Sequence, residues 1–403
     1  MRRQILATCT GFILSVAACA SDSASSTEPV TPPAFTIDER VVGDSTAGYF
    51  SLEISPDMRF MVWQEVILGA PGPLWSCGID PLTGDLIPQD GRGFRVDNVP
   101  TTAAPQWGVD AAGVFYVTLN TAGQFLIVRP SSALVATVDT LATVPNATRA
   151  YPYPTRIASQ PGAWIAFLQN DAQGRPQIHV LNTQTPNTIR ALTSGPVDFN
   201  TGGGVSAPSF VVTVFRWLPG TTQLSWGFND SAQRLQLRGV DVAIPGATIA
   251  ALTDEPHDHV DAFPAILRGE AVLVGGINST AEGALYTRAT SAAPFRIART
   301  LTQPSALAMP MMAASYEPFE WNGGRYATYI VLDGGRKPSE FPAEVWLTDL
   351  DTGTPRRLSS AARLNRLDPE YFLGTNEVFV FHYARPTAGS GFRLYRARTG
   401  LRR

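Results

Sequence analysis

Phe60-Met-Val-Trp63 is the first of seven short apolar segments that recur along the chain, each directly after a turn-forming stretch. The other six are Val114-Phe-Tyr-Val117, Trp164-Ile-Ala-Phe167, Leu224-Ser-Trp-Gly227, Val272-Leu-Val-Gly275, Tyr326-Ala-Thr-Tyr329 and Val378-Phe-Val-Phe381. Successive segments begin 48 to 60 residues apart. A repeat of this length, in a sequence without helical periodicity, is typical of repeat architectures. The sequence therefore predicts an all-β protein of seven similar units.

Each unit divides into four strands. A strand-like run precedes the apolar segment, and turns such as Pro56-Asp-Met-Arg59 join the two. Pro, Asp, Asn and Gly start such turns or supply the positive φ of tight hairpins. A third alternating run follows, and a fourth ends in Leu-Thr or Leu-Ser at Leu192-Thr193, Leu252-Thr253, Leu301-Thr302 and Leu358-Ser359. Four hairpin-connected strands per repeat predict the blades of a β-propeller.

The last unit lacks a fourth strand, because the chain reaches Arg398-Thr399-Gly400 where other units turn into one. Residues 35–43 belong to no complete unit and are predicted to complete the seventh blade, which leaves no unpaired edge in the ring. Six or eight blades are the alternatives, because the third interval is long. The extra length lies near residues 194–209, which we interpret as a loop insertion.

The N-terminus has the pattern of a secretory signal, with Arg2 and Arg3 before a short apolar stretch. It closes with Val16-Ala-Ala-Cys19, which resembles a bacterial lipobox. The resemblance implies a signal peptide over residues 1–18 and lipidation of Cys19. An ordinary cleaved signal with an incidental cysteine is the alternative. Residues 19–34 are rich in Ser, Thr, Pro and Ala and predict a disordered tether, so that residues 35–403 form a single propeller domain.

Composition limits the environment and the partners. Ala20 rather than Asp follows Cys19, which by the rule of Gram-negative lipoproteins favours anchoring in the outer membrane of the cell envelope. The net charge is −3, and no basic run of the kind that contacts nucleic acid is found, so we expect no nucleic-acid partner. Cys77 is the only cysteine after Cys19 and is predicted to be a buried thiol.

The repeats are similar to the WD-like repeats of TolB. The likeness rests on Ser55-Pro-Asp57 before a strand and on the Leu-Thr endings, and it extends over about residues 35–403. Met58 stands where the family has Gly. The same repeat type forms the propeller of prolyl oligopeptidases and dipeptidyl peptidases, but the Gly-x-Ser-x-Gly elbow of their hydrolase domain is not found in the sequence. The resemblance implies a propeller that serves as a periplasmic or surface binding scaffold.

Candidate metal ligands lie in Asp254-Glu-Pro-His-Asp-His-Val-Asp261. In an extended segment His257, His259 and Asp261 point to one side, and imidazole and carboxylate groups in that arrangement can bind a divalent metal ion. The alternative is a solvated loop of turn-forming residues. We expect no other cofactor.

No catalytic residue is assigned from the sequence. Glu317, Glu320, Asp368 and Glu370 are acids near predicted inner strands that could support glycosidase-like acid and base chemistry. Aromatic residues at the entry to several blades indicate packing between blades or, alternatively, an aromatic-rimmed binding mouth: Tyr49, Phe50, Tyr151, Tyr153, Phe263, Tyr316, Phe319 and Tyr371.

We therefore expect a lipid-anchored module that binds a protein, peptide or glycan. The alternative is a propeller enzyme, a hydrolase or lyase acting in the axial mouth, with metal assistance at His257 and His259.

Overall fold

The computed structural model divides the chain into two units, Met1–Thr36 and Ile37–Arg403, and every described strand lies in the second. It describes residues 35–43, 48–67, 70–88, 94–95, 105–110, 112–120, 122–131, 136–145, 147–152, 164–174, 176–183, 185, 188–193, 216–219, 221–278, 280–307, 310–333, 342–361, 364–386 and 391–403. The proposed signal, the lipobox, the tether and the 194–209 insertion lie outside these ranges. No helix long and apolar enough to cross a membrane occurs in the described part.

Seven antiparallel sheets follow one another along the chain, here named blades I to VII. The strand β1 (Glu39–Gly43) comes first and belongs to the last blade. Blades I to IV are formed in order by β2 (Gly48–Ile54), β3 (Phe60–Ile67), β4 (Ala70–Ile79), β5 (Leu86–Ile87) and β6 (Phe94–Arg95); β7 (Gln106–Asp110), β8 (Gly113–Leu119), β9 (Gln124–Pro130) and β10 (Ala136–Thr143); β11 (Ala147–Pro152), β12 (Trp164–Asn170), β13 (Pro176–Asn182) and β14 (Ile189–Ala191); β15 (Arg216–Trp217), β16 (Gln223–Asn229), β17 (Leu235–Asp241) and β18 (Ala250–Ala251).

The remaining three blades repeat the pattern. They are formed by β19 (His259–Leu267), β20 (Glu270–Ile277), β21 (Gly283–Thr287) and β22 (Arg296–Leu301); β23 (Pro310–Trp321), β24 (Gly324–Asp333), β25 (Ala343–Asp349) and β26 (Pro355–Arg357); β27 (Leu364–Leu373), β28 (Glu377–Pro386) and β29 (Arg393–Arg402) with β1. In blade I the place of the fourth strand is divided between β5 and β6, which pair with different parts of β4. The prediction of seven four-stranded blades is confirmed.

The N-terminal strand closes the ring. β1 pairs antiparallel with β29, from Glu39 opposite Ala397 to Gly43 opposite Leu394. The Glu39 carboxylate is buried there and accepts hydrogen bonds from Arg366 Nε (2.7 Å) and the Ser360 backbone N–H (2.8 Å). β1 is thus held by a buried ionic contact as well as by its backbone pairing.

The hydrophobic core lies between neighbouring blades. Blades VII and I share one cluster, in which Leu52, Trp63 and Cys77 pack with Phe379 and Phe381. Similar clusters join blades I and II, II and III, III and IV, IV and V, and V and VI. Alternating apolar side chains on each strand suit this arrangement, because both faces of a blade contact another sheet. Cys77 is buried as a thiol in this core, as predicted.

Candidate functional site

The first strands of six blades converge on one pocket of about 350 Å³. Its described lining comes from β2, β7, β15, β19, β23 and β27 and from the turns that follow some of them. In the long strands the contributing residues lie in the C-terminal half, as with Phe263–Leu267 of β19. The first strands therefore surround the axis, and the pocket is one end of the axial channel.

Carboxyl groups dominate the charge of the pocket. Its lining includes one basic residue, Arg216, among the described residues, together with five acids: Glu53, Glu317, Glu320, Asp368 and Glu370. Glu317 and Glu370 are buried, Glu53 and Asp368 are partly exposed, and Glu320 is exposed. The Arg216 guanidinium lies 4.8 Å from the centroid of the Phe263 ring. This end of the channel is therefore strongly acidic.

β-Bulges in the first strands position these acids. In β2, β23 and β27, two residues of the first strand lie opposite one residue of its partner. The next paired residue is Glu53, Glu317 or Glu370. Asp368 lies inside the bulge of β27, with a φ of 57°. A bulge twists its strand and redirects the side chains around it, and bulges are common beside functional sites. The same device thus brings acids of blades I, VI and VII to the axis.

The Glu53 carboxyl has a strongly shifted pKa. Burial raises the pKa of its carboxyl to about 8, and the negative charges of Asp368 and Glu317 add to the effect. The charge of Arg216 and a hydrogen bond from Gln106 Nε2 to Glu53 Oε1 (2.6 Å) oppose it only in part. Asp368 Oδ2 accepts a hydrogen bond of 2.8 Å from the Leu52 backbone N–H. At neutral pH the Glu53 carboxyl therefore holds its proton.

Aromatic rings form much of the remaining wall, supplied by Trp107, Trp217, Phe263, Phe319 and Tyr371. Phe319 of blade VI stacks on Tyr371 of blade VII, with ring centroids 4.5 Å apart. Trp107 Nε1 donates a hydrogen bond of 3.0 Å to the backbone oxygen of Glu53. Phe319 therefore joins two blades and also borders the pocket.

The structure places the four acids predicted from the sequence in one pocket. Glu317, Glu320, Asp368 and Glu370 all line the pocket. Glu53 and Arg216 were missed, because each is a lone charged residue in a strand-like run. The signal that could have found Glu53 is its place near the end of a first strand, just before the Ser55-Pro-Asp57 turn. Among the other aromatics, Tyr316 is buried against Tyr329, whereas the side chains of Tyr49, Phe50, Tyr151 and Tyr153 lie outside the described part.

A second cluster forms where the chain passes from blade IV to blade V. His257 Nε2 and His259 Nε2 lie 3.6 Å and 3.9 Å from Glu255 Oε2. Donor atoms of the three residues all lie within 4.8 Å of one another, so they could hold a metal ion. Asp261, the third ligand predicted from the sequence, lies in β19, but its side chain is outside the described part.

The two histidines have different surroundings. His259 is fully buried, and its pKa is lowered to about 3 by burial and by the nearby His257. His257 Nε2 lies 3.3 Å from the Tyr286 hydroxyl, whose pKa is raised by burial and by the charge of Glu255. A neutral imidazole is the form that binds a metal ion, and His259 is held in that form.

No protein-family profile matches the chain, and no curated protein matches it in sequence. Its fold is similar to that of "Oligogalacturonate lyase in complex with manganese", with a TM-score of 0.51 and 10% identity over 90% of this chain and 96% of that one. A TolB from Agrobacterium tumefaciens gives a TM-score of 0.40 and 12% identity, covering 74% of this chain and 90% of that one. Prolyl oligopeptidase B from Galerina marginata gives 0.49 and 12% identity over 87% of this chain, which spans 49% of that protein. At these identities the likeness identifies the fold, a β-propeller.

Proposed function

We propose that this chain is a binding propeller whose axial pocket accepts a positively charged group, an amine or a guanidinium, presented by a protein or peptide partner. The observation that carries the proposal is the composition of the pocket. Its lining contains five carboxyl groups and one arginine around a volume of about 350 Å³.

The charge of the pocket favours a cationic ligand. Glu53 retains its proton because burial disfavours its charged form and, in addition, because ionisation would add a negative charge beside Asp368 and Glu317. A bound cation would lower that cost, and Glu53 could then ionise and attract the ligand directly. The same carboxylates repel anions. An acidic polysaccharide of the oligogalacturonate type is therefore a poor candidate for this pocket, although the fold resembles that of a lyase named for such a substrate.

The size and the walls of the pocket are suitable for one side chain. Small-molecule sites have volumes of about 300–1,000 Å³, so this pocket lies at the lower end. A cation over the face of a Trp or Tyr ring gains about 0.5–2 kcal/mol, more when water is excluded. Trp107, Trp217 and Tyr371 supply such rings beside the acids. A lysine or arginine side chain of a peptide would meet both groups at once.

The experiment compares blocked tripeptides that differ only in the central residue, lysine or norleucine. Titration is followed by calorimetry and by the fluorescence of Trp107 and Trp217, which border the pocket. We expect the lysine peptide to bind at least about tenfold more tightly, a difference of about 1.4 kcal/mol. Asp368→Asn should remove most of that preference, whereas Glu282→Gln, on an exposed turn of blade V, should leave it unchanged. Equal binding of the two peptides would contradict the proposal.

Acid and base catalysis is the second candidate, because a protonated Glu53 beside the charged Asp368 and Glu317 is the kind of pairing that hydrolases use. It requires a neutral substrate, such as an uncharged glycoside, in this acidic pocket. Release of nitrophenol from neutral nitrophenyl glycosides, lost in Glu53→Gln and retained in Glu282→Gln, would support it. The absence of any turnover across a panel of such substrates would leave the binding function.

A lipid anchor is a separate part of the proposal and rests on the sequence. We expect diacylglycerol on Cys19 and retention in the outer membrane of a Gram-negative host. Cys19→Ser should abolish incorporation of labelled palmitate and release the protein from membranes. The matched change Cys9→Ser, inside the signal, should alter neither result. If Cys19→Ser is still labelled, the lipoprotein assignment is wrong.

A further inference from the structure

We propose that Glu255, His257 and His259 form a binding site for a divalent transition-metal ion of the zinc class, at the passage from blade IV to blade V. This site is distinct from the axial pocket, since none of its three residues lines that pocket. Glu255 joins the two histidines expected from the sequence, and the side chain of Asp261, the third residue of that expected set, lies outside the described part.

The spacing of the donor atoms fits a metal ion. Bonds of about 2.0–2.1 Å from zinc to nitrogen or oxygen place the ligands of a tetrahedral site about 3.3 Å apart. The two His–Glu distances are 3.6 Å and 3.9 Å, and all three donors lie within 4.8 Å. Movements of a few tenths of an ångström to about an ångström would bring these atoms to bonding distance. Three protein donors leave a fourth position for water or another oxygen.

Unsatisfied polar atoms point to an unidentified partner. Both ring nitrogens of His259 are buried without a hydrogen bond, and so is Glu255 Oε2. An unsatisfied buried polar group costs about 1–3 kcal/mol, so each such case in a folded protein calls for a physical reason. His259 is fully buried, and its Nε2 faces the unsatisfied carboxylate oxygen of Glu255. A metal ion between these atoms would satisfy both.

Hydrogen bonds hold the Glu255 side chain and the backbone of the segment in place. The Ile297 backbone N–H donates to Glu255 Oε1 at 3.1 Å, which leaves Oε2 directed at the imidazoles. Gln236 Nε2 donates to the backbone oxygens of Glu255 and His257, at 3.1 Å and 2.7 Å. Outer contacts of this kind orient ligands and raise metal affinity. The segment that carries the three donors is therefore fixed before any ion binds.

The donor types select the class of ion. Two imidazoles and one carboxylate suit zinc, iron and related ions, whereas magnesium and calcium prefer oxygen ligands alone. The side chains of Glu255 and His257 are only 13% and 12% exposed. Little of either side chain is open to solvent, although three protein ligands leave one coordination position for water. The effect of a bound ion would be to fix the start of β19, whose other half lines the axial pocket.

The test uses the purified full chain, treated with a chelator, dialysed and titrated with Zn²⁺, Mn²⁺ or Mg²⁺. We expect one equivalent of Zn²⁺ by elemental analysis, a higher melting temperature in its presence, and no such effect of Mg²⁺. His257→Gln and Glu255→Gln should each weaken Zn²⁺ binding by more than the about 10- to 100-fold typical of losing an outer contact. His179→Gln removes a half-buried histidine of blade III and should bind Zn²⁺ normally.

Co²⁺ provides a direct reading of the ligands, because its visible absorption depends on the coordinating atoms. We expect the intense spectrum of a tetrahedral site in the wild type and in His179→Gln, and its loss in His257→Gln. Melting curves without metal show whether each variant is folded. Folded wild type that takes up no Zn²⁺, or folded His257→Gln that binds Zn²⁺ as the wild type does, would overturn the proposal.

Discussion

The Leu-Thr and Leu-Ser endings have a specific structural role. In blades III, IV and VI the hydroxyl oxygen of the second residue accepts a hydrogen bond from a backbone N–H of the third strand. The pairs are Thr193 with Ile178 (3.0 Å), Thr253 with Leu237 (2.9 Å) and Ser359 with Val345 (3.0 Å). The hydroxyl thus satisfies a strand N–H near the point where the fourth strand ends. This requirement explains why the motif recurs at blade boundaries.

Ser359→Ala tests this role. Ser359 and Val345 are fully buried, so removal of the hydroxyl weakens the satisfaction of a buried N–H. We expect the free energy of unfolding in urea to fall by about 1–3 kcal/mol. Thr302→Ala changes the corresponding but exposed residue of blade V and should cost less than about 0.5 kcal/mol. Equal losses for the two variants would show that burial of the hydroxyl does not matter.

Glu53 should make stability depend on pH. Its pKa is raised to about 8 in the folded chain, above the ordinary value for Glu. The folded state then binds more protons than the unfolded state between about pH 4.5 and pH 8, so its contribution to stability is present at low pH and is lost as pH rises through this range. We expect Glu53→Gln to be more stable than wild type at pH 9 by up to about 1.4 kcal/mol per unit of pKa shift, with the advantage shrinking at pH 5.

Thermal melting between pH 5 and pH 9 provides the measurement, and the exposed Glu282→Gln is the matched control. An identical pH profile for wild type and Glu53→Gln would mean that the carboxyl titrates normally. It would contradict the pKa shift of Glu53 but not the acidic lining of the pocket, which has four other carboxyl groups.

At the scale of the strand, β1 is the element whose loss the fold should tolerate least. The Glu39 carboxylate lies among Arg366, the His382 ring (2.9 Å from Nε2 to Oε1) and the Ser360 N–H. Arg366 and His382 are buried in blade VII, and Ser360 lies just before that blade's first strand. Hydrogen bonds and charges from His382 and Arg366 hold the pKa of Glu39 well below its ordinary range despite its burial. The strand is therefore held by a contact that depends on one charge.

Glu39→Gln should destabilise the protein strongly. It leaves the Arg366 charge buried without its carboxylate, and breaking a buried ion pair in this way costs about 3–5 kcal/mol. Because the pKa of Glu39 is lowered by folding, its contribution is present above the ordinary carboxyl range and is lost as pH falls through and below it. The difference between wild type and Glu39→Gln in urea unfolding should accordingly be large at pH 7 and shrink below pH 4.

The neighbouring Asp38→Asn is the control, since Asp38 is half-exposed and its carboxylate lies 3.4 Å from Nε of the partly exposed Arg398. We expect it to cost less than about 1 kcal/mol. A similar cost for Asp38→Asn and Glu39→Gln would indicate that the backbone pairing of β1, rather than the buried charge, holds the strand.

The elements could be predicted from the sequence because they depend on local chemistry. Turn residues and alternating apolar positions predicted the strands. The run at residues 35–43, which belongs to no complete unit, indicated how the last blade is completed. Met58 is an exception: its φ of 56° is a conformation that Gly adopts more easily, and nothing in a methionine indicates it.

The site could not be predicted as a site, because its members come from separate blades. Glu53, Glu317 and Glu370 lie on three strands far apart in sequence, and bulges rather than a sequence motif turn them to the axis. Glu255 was overlooked in the metal-binding segment although the sequence contains the signal for it. It lies two residues before His257, so the period-two spacing that selected Asp261 also includes Glu255, which lies in a connector whose backbone oxygen accepts a hydrogen bond from Gln236.

At the scale of the molecule, closure of the ring by β1 makes a final prediction. Without residues 1–43, β29 becomes the edge of blade VII, with backbone groups exposed opposite the position of β1. Exposed edges of this kind pair with other chains. We expect this truncated protein to be less stable than wild type by at least about 3 kcal/mol, because Arg366 also loses Glu39. Gel filtration should show self-association that the full chain lacks.

A synthetic peptide of residues 35–43, added in trans, should reverse both defects. An extended peptide can add to an open sheet edge through backbone hydrogen bonds, with buried side chains setting its register. Here Glu39 would return to Arg366 and His382, so a peptide carrying Glu39→Gln should bind at least about tenfold more weakly, equivalent to about 1.4 kcal/mol. Restored melting with the native peptide but not with this variant would show that the ring is closed by one strand and fixed by one carboxylate. A truncated protein that melts like wild type without peptide would mean that the other blades keep the ring closed without it.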